Sequence, residues 1–242
     1  NKIKLDLLGI DGKARVNRVN LNNHEFLTPI FMPVATRGSI KSLNLENLSE
    51  TDIILGNTYH LYLRPGLEVI KKFNGLHDFM NWKKLILTDS GGFQGWSIPN
   101  TQTDEGILFK NVYDGSKFLM TPELSMEIQE SLNSDIAMIL DHLIDIDSPK
   151  ELQKNAIDTT NTWARNARSI HQNSNQSLFG IVQGGKYKEL REISAKNMLD
   201  LDFNGYAIGG LAIGETPAER REIVSFTTDI LPSDKLRYVM GV

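Results

Sequence analysis

Two aspartates, a glutamine and a glycine pair stand where this sequence turns from apolar to polar, and together they could hold a flat heterocycle. Leu85–Gln94 (Leu-Ile-Leu-Thr-Asp-Ser-Gly-Gly-Phe-Gln) opens as a buried strand and switches within two residues to an acid, a hydroxyl and glycines. Asp141, Gln183 and Gly209-Gly210 follow other apolar runs in the same way. Polar groups at the carboxyl ends of buried strands are where α/β folds build active sites, because the sheet holds the strand end rigid while the loop varies. Guanine's pairing edge offers two adjacent donors, N1–H and the exocyclic amine, beside the O6 acceptor. A carboxylate accepts from both donors, and an amide NH2 or a backbone N–H satisfies O6. Phe93 supplies a face on which a base can stack once it leaves its own stack. The set suits a purine, and it would suit other planar heterocycles. Plainer readings stand beside it: Asp89 and Asp141 as turn caps, Gln183 as a turn residue, Gly209-Gly210 as a phosphate cradle or tight turn. Asp141-His142 could contribute to a metal site, but no second histidine or acid lies at a convincing ligand spacing. His60 is an equally weak signal, and His24, His77 and His171 read as surface residues.

These residues need elements to carry them. After a polar lead-in, candidate strands are Pro29–Ala35, Asp52–Thr58, Leu85–Asp89, Ser134–Asp141, Leu178–Gln183, Tyr206–Gly209 and Arg237–Val242. Between them, Pro65–Phe73 reads as a short helix that Gly75 ends. Pro122–Leu132 reads as a helix capped by Thr121, burying Leu124, Ile128 and Leu132. Further helices open on the capping boxes Ser148–Glu151 and Thr216–Glu219 and from about Lys186, the one after Thr216 running to about Ile230. From Gly95 to Thr121 the pattern breaks up around the turn signal Asp114-Gly115, predicting an inserted β-hairpin. Apolar runs alternating with amphipathic helices mean a parallel sheet wrapped by helices. Nearly every strand closes on a polar residue or glycine (Asn57, Asp89, Asp141, Gln183, Gly209, Gly241), which favours a barrel, since a barrel gathers all its strand ends into one ring. The expectation is an α/β fold: one domain over 1–242, an irregular (β/α)8 TIM barrel whose eighth strand is missing.

The chain has 242 residues, 40% hydrophobic and 23% charged, ordinary for a globular protein. It carries no apolar run of membrane-spanning length and no signal-peptide pattern. Without cysteine there is no disulfide framework and no thiolate zinc site, a composition that fits the cytoplasm. A net charge of −4 speaks mildly against a nucleic-acid coat but leaves room for a local basic strip, to which Lys71-Lys72 and Lys83-Lys84 could contribute. Starting at Asn1 and stopping at Val242 within an apolar run, both ends look trimmed.

Leu87–Gln94, Gly56–Leu61 with Arg64-Pro65-Gly66, Ser134-Asp135-Ile136, Phe179–Gly185, Gly205–Glu215 and Tyr238–Val242 converge, in this order and spacing, on one family. They resemble the tRNA-guanine transglycosylases (queuine/archaeosine tRNA-ribosyltransferases), nearly end to end. The resemblance implies exchange of guanine at the anticodon wobble position of tRNA for a 7-deazaguanine base. An aspartate attacks C1′ of the ribose, guanine leaves, and the incoming base displaces the covalent intermediate. Carried over, Asp89 matches the general acid/base, with Ser90 beside it in the substrate site. Asp141 matches the reader of the N1/N2 edge, and Gln183 and the Gly210 backbone match the groups that contact O6, with Gly209 beside them in the substrate site. Phe93 and Met240 would sandwich the base. Leu211 would offer its carbonyl to the substituent at position 7, with Glu215 behind it.

Several residues depart from the family pattern. Phe93 stands where bacterial members usually have tyrosine, and His142-Leu143 replaces a Glu-Cys pair. Ile213 is bulky, as in members that use the small base preQ1; preQ0 would be the choice were the source archaeal. The family's nucleophilic aspartate and its structural zinc site, three cysteines and a histidine, lie beyond the last strand seen here, so this chain alone is expected to be inactive. A homodimer is what the family suggests. Two other readings stay open: a short paralogue or accessory subunit without catalysis, and a relative that inserts deazaguanine into DNA.

Overall fold

Residues 3–242 are described by the structure, a computed structural model; Asn1 and Lys2 lie outside them. The described residues divide into two compact units, one of the residues up to Ser90 with Glu127–Ala137 and Asn173–Ser177, the other of Gly91–Met126, Met138–Gln172 and Leu178–Val242.

The opening residues form what the polar composition concealed, an antiparallel sheet of β1 (Lys4–Asp11), β2 (Ala14–Leu21) and β3 (His24–Thr28). Asn17, Val19 and Leu21 of β2 are buried while Val16, Arg18 and Asn20 are exposed, the period-two alternation of a strand with one covered face. The expected strand Pro29–Ala35 contracts to β4 (Val34–Ala35). Its prolines carry no N–H for a ladder, which keeps Pro29 and Pro33 outside it. β5 (Ile53–Gly56) stops short of the predicted Thr58, because Asn57 leaves the sheet to cap α1 (Thr58–Leu63), its side chain accepting from the His60 N–H at 2.9 Å. α2 (Leu67–Lys72) and α3 (Leu76–Met80) follow, then β6 (Leu85–Thr88), buried along its whole length.

α4 (Gly92–Ser97) leads into β7 (Asn100–Gln102), β8 (Ile107–Lys110) and β9 (Lys117–Met120). The predicted hairpin is thus two strands of a three-stranded antiparallel sheet. The loop between β8 and β9 runs over residues 111–116 and contains Asp114-Gly115; the Gly115 N–H donates to the Asn111 carbonyl at 2.9 Å, Gly115 sits at φ +74° and Asp114 Oδ1 accepts from the Ser116 N–H at 2.9 Å. α5 (Pro122–Leu132) starts where predicted, Thr121 Oγ1 accepting from the Leu124 N–H at 3.1 Å. Ile128 and Leu132 are buried as expected; Leu124 is only half-buried, and Met126 takes a core position.

β10 (Ile136–Met138), α6 (Lys150–Ile170), β11 (Ser177–Val182), α7 (Lys188–Asp200), β12 (Gly205–Ile208), α8 (Pro217–Ile230) and β13 (Leu236–Val239) complete the alternation. The capping box at Thr216 forms, Thr216 Oγ1 accepting from the Glu219 N–H while the Glu219 carboxylate accepts from the Thr216 N–H. The one expected at Ser148 does not: Pro149 occupies the cap of α6 and no side chain closes it. The parallel sheet has the order β13-β12-β11-β10-β6-β5-β4, seven strands that succeed one another in chain order with no reversal. A doubly wound sheet reverses its order at a switch point, so this is the order of a (β/α)8 barrel with seven strands present.

Three histidines read as surface are partly covered. His24 Nε2 lies 3.0 Å from Asp52 Oδ1 and His77 Nε2 lies 3.0 Å from Asp135 Oδ2, while His171 is half-buried at the end of α6.

Candidate functional site

In the unit that contains β6, the strand ends on a buried hydroxyl cluster. Thr88 Oγ1 donates to Gln129 Oε1 at 3.0 Å and lies 2.7 Å from Ser134 Oγ, while Gln176 Nε2 donates to the Ser134 carbonyl at 3.0 Å. Those bonds fix the strand end from which Asp89 projects. The Asp89 main-chain N–H continues the ladder to the Gly56 carbonyl at 3.1 Å. Its carboxylate accepts from Asn57 Nδ2 at 2.6 Å through Oδ2 and from the Thr58 N–H at 3.0 Å through Oδ1. Asn57 therefore serves twice, capping α1 with its oxygen and holding Asp89 with its nitrogen. Asp89 is half-buried and held in one orientation, and Ser90 beside it is buried. His60, one turn into α1, has its pKa lowered by burial and by the charge of Arg37, which keeps the ring neutral.

In the other unit, Asp141 and Gln183 meet. Both are 4% exposed, and Gln183 Nε2 donates to Asp141 Oδ2 at 2.6 Å. Gly92 makes room for the acid: a Cβ there would stand 2.2 Å from Asp141 Oδ1. Gly209 and Gly210 close on the amide from the far side, where added Cβ atoms would lie 2.7 Å from Gln183 Nε2 and 2.7 Å from Gln183 Oε1 respectively. Gly210 sits at φ +67°, a left-handed conformation natural to glycine. The structure thus brings together Asp141, Gln183, Gly209 and Gly210 as one wall.

Leu211 and Ile213 are buried beyond it. Glu215 ties down the segment between them, accepting from the Ala212 N–H at 2.7 Å, the Ile213 N–H at 3.0 Å and Arg220 Nε at 2.6 Å. Burial alone would raise its pKa, but these donors outweigh that and hold the carboxyl down at about 2. Met240 is half-buried, its N–H donating to the Ile208 carbonyl at 3.2 Å, and the Gly241 backbone passes close to the Leu211 carbonyl. Phe93 keeps 48% of its surface open and tilts against Trp96 at 5.7 Å between ring centres, with Trp96 Nε1 donating to Asp145 Oδ1 at 2.6 Å. His142 turns away to stack on Trp163 of α6, and burial lowers its pKa.

Sequence reasoning missed Gly92 as the neighbour that admits Asp141, and it missed Arg191. The latter left a signal: Leu190, Arg191, Ser194, Ala195 and Met198 form the buried stripe of α7, and one of its members is a cation. The zinc implied by the family resemblance finds no ligand set: the sequence has no cysteine, and among the described residues no three His, Asp or Glu side chains cluster to hold a metal. The residues present do not fit it, and no chemistry is assigned to it. Among the described residues no helix is long and apolar enough to cross a membrane.

The arrangement can accept two hydrogens from a planar ring through Asp141, donate to a ring oxygen through an amide or backbone N–H, and offer an open aromatic face. Residues 11–242 match the family model described as Queuine tRNA-ribosyltransferase. Proteins named queuine tRNA-ribosyltransferase are similar to this chain throughout. That of Caldanaerobacter subterraneus subsp. tengcongensis is 48% identical over 235 residues, covering 95% of this chain and 63% of its own length. That of Buchnera aphidicola subsp. Schizaphis graminum is 47% identical over 249 residues, 99% of this chain and 67% of the relative. That of Thermotoga maritima is 48% identical over 233 residues, 95% of this chain and 63% of the relative. The chain therefore spans about two thirds of the length of these relatives.

Proposed function

This chain belongs to the queuine tRNA-ribosyltransferase family, and on that premise we propose that the protein exchanges guanine at the anticodon wobble position of tRNA for a 7-deazaguanine. Asp141 accepts from N1–H and the 2-amino group. Gln183, with the amide hydrogen not given to Asp141, and the Gly210 N–H donate to O6. Phe93 and Met240 cover the two faces of the ring. The Leu211 carbonyl and Glu215 serve the substituent at position 7, and Ile213 leaves room for the small aminomethyl group of preQ1 rather than for queuine. The observation that carries the reading is the buried Gln183–Asp141 contact closed by Gly209 and Gly210. A carboxylate aligned by an amide, with main-chain donors beside it, matches the edge of guanine.

In the exchange, a carboxylate attacks C1′ and the C1′–N9 bond breaks, its electron pair leaving with guanine, which takes up a proton. The incoming base then loses its N9 proton and attacks C1′, releasing the carboxylate. Asp89 is assigned the proton transfers, and the attacking carboxylate is not assigned to a residue of this chain. Incubation of the full gene product with labelled guanine and either unmodified tRNA or duplex DNA tests the reading. Label in tRNA, chased out by preQ1, is the expected result. Label in DNA alone points to a DNA-modifying relative, and guanine binding without transfer to a non-catalytic member of the family.

A further inference from the structure

Helix α7 presents Arg191 and Ser194, one turn apart, to the loops that follow β11 and β12. The Arg191 side chain is 1% exposed. Its Nε donates to the Gly185 carbonyl at 2.7 Å and its Nη1 to the Gly209 carbonyl at 3.1 Å, while Nη2 is buried with no hydrogen-bond partner among the described residues. Nη2 lies 3.2 Å from the point where a Cβ on Gly210 would sit, and Gln183 Oε1 lies 2.7 Å from the same point. Ser194 Oγ accepts from the Gln183 N–H at 3.0 Å. One helix face therefore grips both sequences that meet at the reading wall. Burial lowers the Arg191 pKa to about 10, the charge of Glu215 opposing it, so the side chain stays a cation at neutral pH. Desolvating a guanidinium is expensive, and an apolar side chain would serve helix packing alone at least as well.

We propose that Arg191 is a positioning residue of the base-reading wall, which holds the Gly209 carbonyl so that the Gly210 N–H is aimed at the 6-oxygen of a bound guanine. The Gly209–Gly210 peptide is trans, so its carbonyl and its N–H point in opposite directions. With the carbonyl drawn toward α7, the N–H faces away from it. A glycine pair left to itself would sample both orientations of that peptide. Arg191 removes the freedom by holding the Gly209 carbonyl through Nη1 while the Gly185 carbonyl anchors Nε, a fork that a single ammonium group does not reproduce. The inference rests on the base-reading function proposed above and adds to it the residue that sets the O6 donor.

The test is equilibrium binding of guanine, hypoxanthine and 2-aminopurine to the full chain and to Arg191→Met and Arg191→Lys. Guanine and hypoxanthine carry the 6-oxygen; 2-aminopurine does not. Arg191→Met should weaken guanine and hypoxanthine alike by roughly tenfold to a hundredfold, the range for a buried hydrogen bond to a polar ligand atom, and leave 2-aminopurine nearly unchanged. Arg191→Lys, which keeps the buried cation and is the variant to read should Arg191→Met not fold, should show the same selectivity with a smaller loss. In the unmodified protein the Gly210 amide proton resonance should shift with guanine and hypoxanthine and stay in place with 2-aminopurine. A ratio of guanine to 2-aminopurine affinity that is unchanged in the variants, or an unmoved Gly210 resonance, overturns the role of Arg191 while base reading stands. Failure of the unmodified protein to bind guanine overturns base reading itself, and this inference with it.

Discussion

Gln183 Nε2 donates to Asp141 Oδ2 at 2.6 Å, between two side chains that are both buried. The bond spends one of the amide's two hydrogens and orients the carboxylate, leaving the second amide hydrogen for a ligand. In the proposed reading, base recognition rests on this pair.

Asp141→Asn keeps the shape and removes the charge, turning one acceptor into a donor. Guanine should lose its advantage over hypoxanthine, which lacks the 2-amino group, by about 1–3 kcal/mol, the worth of a bidentate contact to a base edge. Competition binding of the two bases measures it. Undiminished preference for guanine would remove Asp141 from the reading role.

Gly92 carries no functional group, yet Gly92→Ala should be as damaging as the change at Asp141. The added methyl carbon would lie 2.2 Å from Asp141 Oδ1 and 2.9 Å from the Asp141 carbonyl, so the carboxylate must move. The expected result is a folded protein, by circular dichroism, with guanine affinity down at least tenfold, the scale of a lost charge-assisted hydrogen bond. Wild-type affinity would mean that Asp141 has another place to go.

Asp89→Asn in the full gene product should slow exchange by about 10²–10⁴-fold, the usual contribution of a positioned acid or base, with tRNA binding kept. Asn57→Ala, which removes the 2.6 Å bond to Asp89, should give a smaller loss of the same kind. Single-turnover rates separate the two from binding defects. An unaltered rate in Asp89→Asn would leave Asp89 as a residue that closes β6 and steadies α1.

His77 should make stability depend on pH. Burial of the ring pulls its pKa down, but the hydrogen bond and charge of Asp135, with the Lys84 carbonyl, outweigh that and raise it above the usual 6.5. A group with a raised folded-state pKa contributes stability that is fully present below the unfolded value and is lost as pH rises through the folded one. Urea midpoints should therefore fall as pH rises from the ordinary histidine value through the raised one, and His77→Gln should flatten that fall. An equally steep decline in the variant would place its origin elsewhere.

Much of the fold was legible because its signals are local. The Thr121 cap of α5, the Thr216 capping box and the turn at Asp114-Gly115 are each closed by hydrogen bonds between near neighbours, so spacing alone encodes them. The failures also have local causes. In β2 the buried alternation includes Asn17, so a strand with one covered face passed for a polar lead-in. Ser148 has the right spacing for a cap, but Pro149 takes the position.

The sequence by itself determined which chemistry was at hand, because buried strands that end in Asp89, Asp141, Gln183 and Gly209-Gly210 must present those groups at their carboxyl ends. Only the tertiary structure decided that Gly92 stands against Asp141, that Gln183 aligns it and that Arg191 lies beneath the glycine pairs. Those contacts join residues far apart in the chain, and their distances follow from how helices and strands pack, which residue spacing along one segment does not specify.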